Sequence, residues 1–267
     1  MAEIYQLANQ AHRQMMGYIF KDEDGHLVMV DGGTPSEASY VVRLLKSLGG
    51  ENPVISGWFL THPHSDHISV FKDIIKNHKD IAIQNVYFNF PSSDFIRTYD
   101  PRDIACLEEF ESLDIPTHHK IEKGDRFSFG RINVEVLITF DPSVTQNASN
   151  NSSAAFMFTV NGKKVLIMGD LGIEGGRRLI NAYSKEYLAS DYLQLSHHGQ
   201  NGAPEDVYKY LNPKACLWCT PLWLWENDMG KGPGTGPYAT LKTRAWMDKL
   251  GVKEHYVMKD GTIEINL

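Results

Sequence analysis

Apolar residues in this chain fall into short runs set between polar turns, and the runs come to alternate with segments of helical spacing. Met15 to Phe20 and His26 to Val30 flank Asp22-Glu23-Asp24-Gly25, the pattern of a β-hairpin. Ser36 reads as the N-cap of a helix through Leu48, stopped by Gly49-Gly50. The apolar run Val54 to Leu60 predicts a buried strand, and Ser69 to Asn77, with Val70, Ile74 and Ile75, predicts a helix after it. A strand at Asn85 to Phe88 and a helix from Pro101 to Leu113 follow.

The second half repeats the scheme. Strands are expected at Asn133 to Phe140, Ala154 to Val160 and Lys164 to Met168, the last two joined by the hairpin turn Asn161-Gly162. Further αβ units lie at Tyr192 to Leu195, Glu205 to Leu211, Ala215 to Cys219 and Tyr238 to Leu250. Val252 to Val257 and Thr262 to Ile265 read as a closing hairpin over Asp260-Gly261. Hairpins that give way to βα alternation predict two mixed sheets packed together with helices outside, an α+β chain. The length, 267 residues, suits a single domain spanning 1–267. The stretch Trp223 to Gly236, rich in Trp, Gly and Pro, reads as a long loop that either flaps over a substrate or packs on the body.

Composition narrows the function classes. Acidic residues exceed basic ones, 33 to 26, and the net charge of −7 argues against a general nucleic-acid surface. Three cysteines, Cys106, Cys216 and Cys219, indicate no disulfide framework, and Cys216-x-x-Cys219 lies in an apolar run expected to be a buried strand. Met1 to Gln14 lacks an apolar signal core, and no stretch approaches transmembrane length. The expectation is a soluble cytoplasmic protein with no membrane partner.

Thr61-His62-Pro63-His64-Ser65-Asp66-His67 places three imidazoles and a carboxylate directly after an apolar strand. These are the usual ligands of zinc and similar divalent metals. In extended chain, residues i and i+2 point to the same side, so His62 and His64 are able to grip one metal together. Asp66 and His67 sit where the chain turns into a helix, and their side chains diverge toward a second metal. Val165-Leu166-Ile167-Met168-Gly169-Asp170 is an apolar strand ending in a carboxylate, which makes Asp170 a candidate bridging ligand. Leu193-Gln194-Leu195-Ser196-His197-His198-Gly199 ends another strand in two imidazoles. One of the pair is expected to be a ligand, with His198 favoured, and the other to orient substrate or move protons. Two divalent metals bring about +4, and Asp66, Asp170 and one hydroxide remove three, leaving roughly +1 to attract an anion. Metal-held hydroxide at neutral pH implies hydrolysis. Asp66, Asp170 and His197 are the candidates for catalytic roles.

The order H-x-H-x-D-H, strand-Gly-Asp, strand-His-His-Gly resembles the metallo-β-lactamase superfamily over nearly the whole chain, from Val30-Asp31-Gly32-Gly33 onward. Asn150-Asn151-Ser152-Ser153, Met168-Gly169-Asp170 and Ser196-His197-His198-Gly199 are similar to the hydrolase domain of ComEC-type DNA-uptake proteins and to phosphorylcholine esterases and related phosphodiesterases. The resemblance implies a four-layer αββα sandwich with metals at one sheet edge. It implies His62 and His64 on metal one, Asp66, His67 and one of His197 and His198 on metal two, Asp170 between them, and Asp31 supporting the first loop. The chain departs from the family in two places. A third histidine for metal one is absent where Asn150-Asn151-Ser152 stands, with His118 and His119 far from that place. The ComEC-type Tyr-Gly-His-Pro corresponds to Gly234-Thr235-Gly236-Pro237-Tyr238, without the histidine.

Together these readings predict a metal-dependent hydrolase with two divalent ions. Zinc is the leading metal, with manganese or iron compatible with an all N/O donor set. The expected substrate is a small anionic phosphoester or phosphodiester, with nucleic acid not favoured. Carbonyl hydrolysis of a lactone, thioester or amide is the alternative, and a non-catalytic metal-binding module is the last reading.

Overall fold

The structure, a computed structural model, describes residues 1–115 and 117–267. Two mixed β-sheets lie face to face with helices on both outer faces, giving the αββα sandwich. The first sheet runs in the order Ile263–Asn266, Glu3–Gln6, Gly17–Lys21, Leu27–Asp31, Val54–Phe59, Val86–Phe88, His118–Lys120, with Ala82–Ile83 also beside Val54–Phe59. The second runs Glu254–Val257, Ala215–Trp218, Tyr192–Gln194, Lys163–Ile167, Ala155–Val160, Ile132–Ile138, Arg126–Phe129. Each sheet changes from antiparallel to parallel pairing at one strand, Leu27–Asp31 in the first and Lys163–Ile167 in the second. Sites in such sheets form beyond the carboxyl ends of the parallel strands. All the metal-ligand types singled out in the sequence follow such ends.

Alternation along the strands builds the layers. Tyr18, Phe20, Val28 and Val30 face the space between the sheets, whereas Ile19, Leu27 and Met29 face the helices Ala38–Gly49 and Ser65–Asn77. In the second sheet Phe156, Phe158 and Val160 point inward, and Ala155 and Met157 point to the other helical layer. Phe20 stacks on Phe158 across the gap, with ring centroids 4.2 Å apart, and Phe59 meets Phe156 edge-on at 5.3 Å. Each such aromatic contributes about 1.5–3 kcal/mol through burial. Cys216 and Cys219 are fully buried in and after the strand Ala215–Trp218, as expected.

Three expectations need correction. The closing hairpin does not form. Glu254–Val257 joins the second sheet, and Ile263–Asn266 crosses to pair with Glu3–Gln6 in the first. Met258, buried in the outer core with Trp58, carries the chain across, and Ile265 reaches the inter-sheet core. Local turn chemistry at Asp260-Gly261 is thus outweighed by burial at both ends. The first helix is capped by Thr34, not Ser36. Thr34 Oγ1 accepts from Ser36 N–H, and Glu37 accepts from Thr34 N–H at 2.8 Å, a capping box around the turn Pro35–Glu37. The helix expected from Ser69 begins at Ser65, so Asp66 and His67 lie in its first turn. Among the described residues no helix is long and apolar enough to cross a membrane.

Candidate metal centre

The strand Val54–Phe59 delivers the histidine-rich segment, and Asp31 fixes its shape. Asp31 ends the neighbouring strand in a left-handed conformation, φ 49°, which is sparsely populated for a residue with a side chain. Its buried carboxylate accepts from Thr61 N–H at 2.8 Å and from the Thr61 hydroxyl at 2.6 Å, and lies 2.7 Å from His67 Nδ1. The same contacts settle the imidazole tautomers. Thr61 spends its proton on Asp31, so its oxygen, 3.1 Å from His62 Nδ1, is left to accept from that nitrogen. His67 Nδ1–H is held by Asp31, and His198 Nδ1–H by the carbonyl of Cys219 at 3.1 Å. In the neutral form of each of the three rings the Nε2 lone pair is therefore free to act as a ligand.

Asp170 stands opposite. Gly169, at φ 55°, brings the backbone against Ser153 and Thr61, where a Cβ would approach to 2.9–3.0 Å. Ser153 Oγ accepts from Asp170 N–H at 3.0 Å, and buried Gln194 holds the turn from behind through Gly169 O and Met168 N. His197 N–H donates to Gly169 O at 3.1 Å, tying the two second-half loops together. His197 and His198 are both left-handed, φ 52° and 54°, and Gly199 follows where a Cβ would strike Trp218 at 2.4 Å.

The side chains converge. Asp170 Oδ2 lies 3.2 Å from His67 Nε2, 3.4 Å from His198 Nε2, and 3.8 Å from the Nε2 atoms of His62 and His197. Asp66 Oδ2 is 3.3 Å from His198 Nε2. His62, His67 and Asp170 form one group of mutually close donor atoms, and Asp66, His67 and His198 another. Nε2 of His62, His64, His67 and His198 and both Asp170 oxygens are buried without a hydrogen-bond partner. Buried carboxylate oxygens without donors are costly unless a cation compensates them. The donor set thus fits the divalent metals that the sequence implies.

The electrostatics follow from this crowding. Burial opposes protonation of His67, but Asp170 and Asp31 outweigh it and raise its pKa well above the ordinary imidazole range. His198 behaves alike and is raised to about 9, burial being overcome by Asp170 and Asp66. Burial, with His67 and His64 adding to it, pushes His62 well down. Burial also lowers His197. Burial would raise Asp170, yet the surrounding imidazoles hold it well below the carboxylate range.

Above the donors lies an open cleft of about 830 Å³, lined among others by His64, Asp66, His197, Asn150, Arg13 and Trp223. The Trp-rich loop packs on the body at Leu224 and Trp225 and lines the cleft at Trp223. Leu224 is buried, and Trp225 packs edge-on to Trp218 at 5.2 Å under the Arg244 guanidinium. Trp223 faces the cleft between His12 and Tyr238, with its Nε1 buried and unpartnered. His118 and His119 lie on the edge strand His118–Lys120, bonded to Ile115 O and Asn85 rather than to the cluster. The sequence reading missed Gln14, Gln200 and Asp103. Gln14 donates to Asp66 Oδ2 at 3.0 Å and accepts from Gln200 at 2.9 Å, bridging the two halves of the site. Gln200 follows the His-His-Gly run directly, a positional hint that was available; Gln14 and Asp103 carried none.

Comparisons with known proteins agree with this fold. The family model of the metallo-beta-lactamase superfamily matches residues 16–214. The metallo-beta-lactamase fold protein YhfI from Bacillus subtilis superposes over 100% of both chains, with a TM-score of 0.57 and 14% identity. Zn(2+)-bound PqqB from Methylobacterium extorquens does so over 100% of both chains, with a TM-score of 0.57 and 12% identity. CmlA, a diiron beta-hydroxylase from Streptomyces venezuelae, aligns with 100% of this chain over 54% of its own, with a TM-score of 0.59 and 12% identity. No protein of curated function matches the sequence.

Proposed function

The chain belongs to the metallo-beta-lactamase superfamily, whose members are mostly metal-dependent hydrolases, and from that premise we propose a dinuclear hydrolase of small anionic phosphodiesters or phosphoesters. The observation that carries the reading is the cluster of buried, unpartnered donors: the Nε2 atoms of His62, His67 and His198 within 3.8 Å of a carboxylate with two free oxygens, with the His64 ring 4.4 Å from that of His62. His62 and His64 would hold one metal and Asp66, His67 and His198 the other, with Asp170 as the carboxylate available to both. Zinc suits this set; among proteins of similar fold, PqqB is Zn(2+)-bound and CmlA is a diiron enzyme. Bound there, the metals supply Lewis acidity and activate water at neutral pH.

The chain's own residues do the rest. Asp31 holds the His67 ring so that its lone pair points at the cluster. His197 is kept neutral by burial, and its ring reaches the cleft, where it takes or returns a proton at the leaving group. Arg13 also lines the cleft and makes no ion pair among the described residues, so its guanidinium is available to a phosphoryl oxygen. The resemblance to ComEC-type and phosphodiesterase domains favours phosphorus over carbon as the centre attacked. The acidic balance of the chain, −7 overall, disfavours long polyanions.

The test is a substrate panel on the purified protein, with zinc and manganese supplied in turn. Turnover of bis(p-nitrophenyl) phosphate is expected, little cleavage of duplex DNA, and none of either by Asp170→Ala. Efficient turnover of a lactone, thioester or amide with none on any phosphodiester overturns the phosphorus reading and installs the carbonyl one. Stoichiometric metal with no turnover of anything leaves the binding-module reading.

A further inference from the structure

The two metal positions in this reading are unequally supplied. One has four protein donors, Asp66, His67, His198 and Asp170. The other has three, His62, His64 and Asp170, since no third histidine stands near it. Two further oxygens belong to residues that line the same cleft as His64, one of them in contact with it. Asp103 closes the turn Pro101–Asp103, and its Oδ2 lies 3.1 Å from His64 Nε2. That nitrogen is buried and makes no hydrogen bond, so the pair meets without the alignment of donor to acceptor. Ligand atoms about 2.1 Å from a shared centre stand roughly 3.0–3.4 Å apart, the separation seen here. Asn150 is the second. Its amide Nδ2–H donates to Asn147 Oδ1 at 2.9 Å, which leaves Oδ1 as a buried oxygen with no partner. Only 6% of Asn150 is exposed, and both it and Asp103 line the cleft with His64.

We propose that Asp103 and the Asn150 side-chain carbonyl complete the metal position at His62 and His64, making it a five-donor, oxygen-rich site beside a four-donor one. Five donors leave room for water in an octahedral shell, and three of the five are oxygens. That set suits manganese(II) or iron(II), whereas the four-donor side suits tetrahedral zinc. The pair of sites is therefore hetero-selective. Asp103 also removes a charge, taking the estimate of roughly +1 to about 0. Attraction of an anionic substrate then falls to Arg13 and Arg102 at the mouth of the cleft. This inference rests on the dinuclear reading above.

The experiment reads metal, not turnover. Chelator-stripped wild type, Asp103→Ala, Asp103→Asn and Asn150→Ala are titrated with Mn2+ alone, followed by calorimetry and by the free-Mn2+ paramagnetic resonance signal. The same four are then challenged with Zn2+, and melting curves check folding. Asp103 is 39% exposed at its side chain, so its variants should fold normally. Wild type should take two Mn2+, and Zn2+ should displace one readily and the other poorly. Both Asp103 variants should lose the zinc-resistant Mn2+ by about 100-fold in affinity, and Asn150→Ala by about 10-fold, with the other site unchanged. Asp103→Asn separates ligand from orienting partner, because it keeps a hydrogen-bonding group beside His64 but replaces an anionic donor by a much weaker neutral one. Wild-type affinity in both Asp103 variants overturns the proposal. A single Mn2+ in wild type also overturns it, yet leaves the hydrolase reading at the four-donor side. No metal in wild type removes the hydrolase reading itself.

Discussion

The two sides of the donor cluster are built to different standards. On the side of Asp66, His67 and His198, every donor has a dedicated partner. His67 leans on Asp31 at 2.7 Å, His198 on the Cys219 carbonyl at 3.1 Å, and Asp66 takes an N–H from Gln14 at 3.0 Å. Two of the three donors, His67 and His198, are fully enclosed. On the other side His62 is enclosed as well, but His64 opens onto the cleft, and Asp103 sits on a short turn at the surface. The same heptapeptide supplies both sides. The difference comes from what packs behind it: strand ends of both sheets behind the first, a turn and a four-residue helix, Ala148–Asn151, behind the second. A preorganised site binds its metal in fixed geometry, and a looser one leaves room for substrate and water.

The largest expected effect tests whether the enclosed side is the metal anchor. His198→Ala should lose one metal per chain outright, because a ligand and its carbonyl-held tautomer go together. His197→Ala should keep both metals and lower kcat by about 100-fold or more, the cost of a proton-transfer group. Metal content by elemental analysis beside kcat reads both. Loss of metal in His197→Ala alone would reverse the roles of the pair and, with them, the comparison.

A smaller effect should come from the layer behind the ligands. Asp31→Asn keeps the left-handed backbone tolerable and keeps an oxygen for Thr61, but offers His67 Nδ1 an N–H instead of a carboxylate. The ring then carries its proton on Nε2, the ligand atom, and metal affinity at the enclosed side should fall by about 10–100-fold. The site at His62 and His64 should change less. Competition against a metal chelator measures it, and equal loss at both sites would show that Asp31 supports the heptapeptide as a whole rather than one side of it.

How far the sequence foretold this depends on the distance between cooperating residues. His62, His64, Asp66 and His67 were legible because they are packed within six positions, and Asp170 and His198 because each ends an apolar strand. The layering followed from hairpins that give way to βα alternation, with short, mostly apolar runs such as Gly17–Lys21 and Leu27–Asp31 long enough only for buried strands. Asp103 was hidden because nothing in Pro101-Arg102-Asp103 separates a surface helix start from a wall of the cleft. Gln14 was hidden in a polar segment with no periodicity. Glu3–Gln6 and Ile263–Asn266 are strands only because they pair with each other and with Gly17–Lys21, contacts between the two ends of the chain that no local window contains. Longer-range pairing, not weaker physics, set the limit.

The smallest effect probes whether substrate rests on the looser side. His64, Asp103, Asn150 and Trp223 all line the cleft, while His62, His67, Asp170 and His198 lie beneath it. Trp223 stands 5.8 Å from the His12 ring and 5.6 Å from Tyr238, and its N–H has no partner. An aromatic wall offers an organic ester about 1 kcal/mol of stacking contact. Trp223→Ala should therefore raise KM for an aryl phosphodiester about fivefold, with kcat and metal content unchanged, since the donors are not touched. Trp223→Phe keeps the face and drops the N–H, so an intermediate KM apportions the two. A fall in melting temperature with no change in KM would instead assign Trp223 to packing, like its neighbour Trp225, and would leave the looser side without an aromatic contact for the substrate.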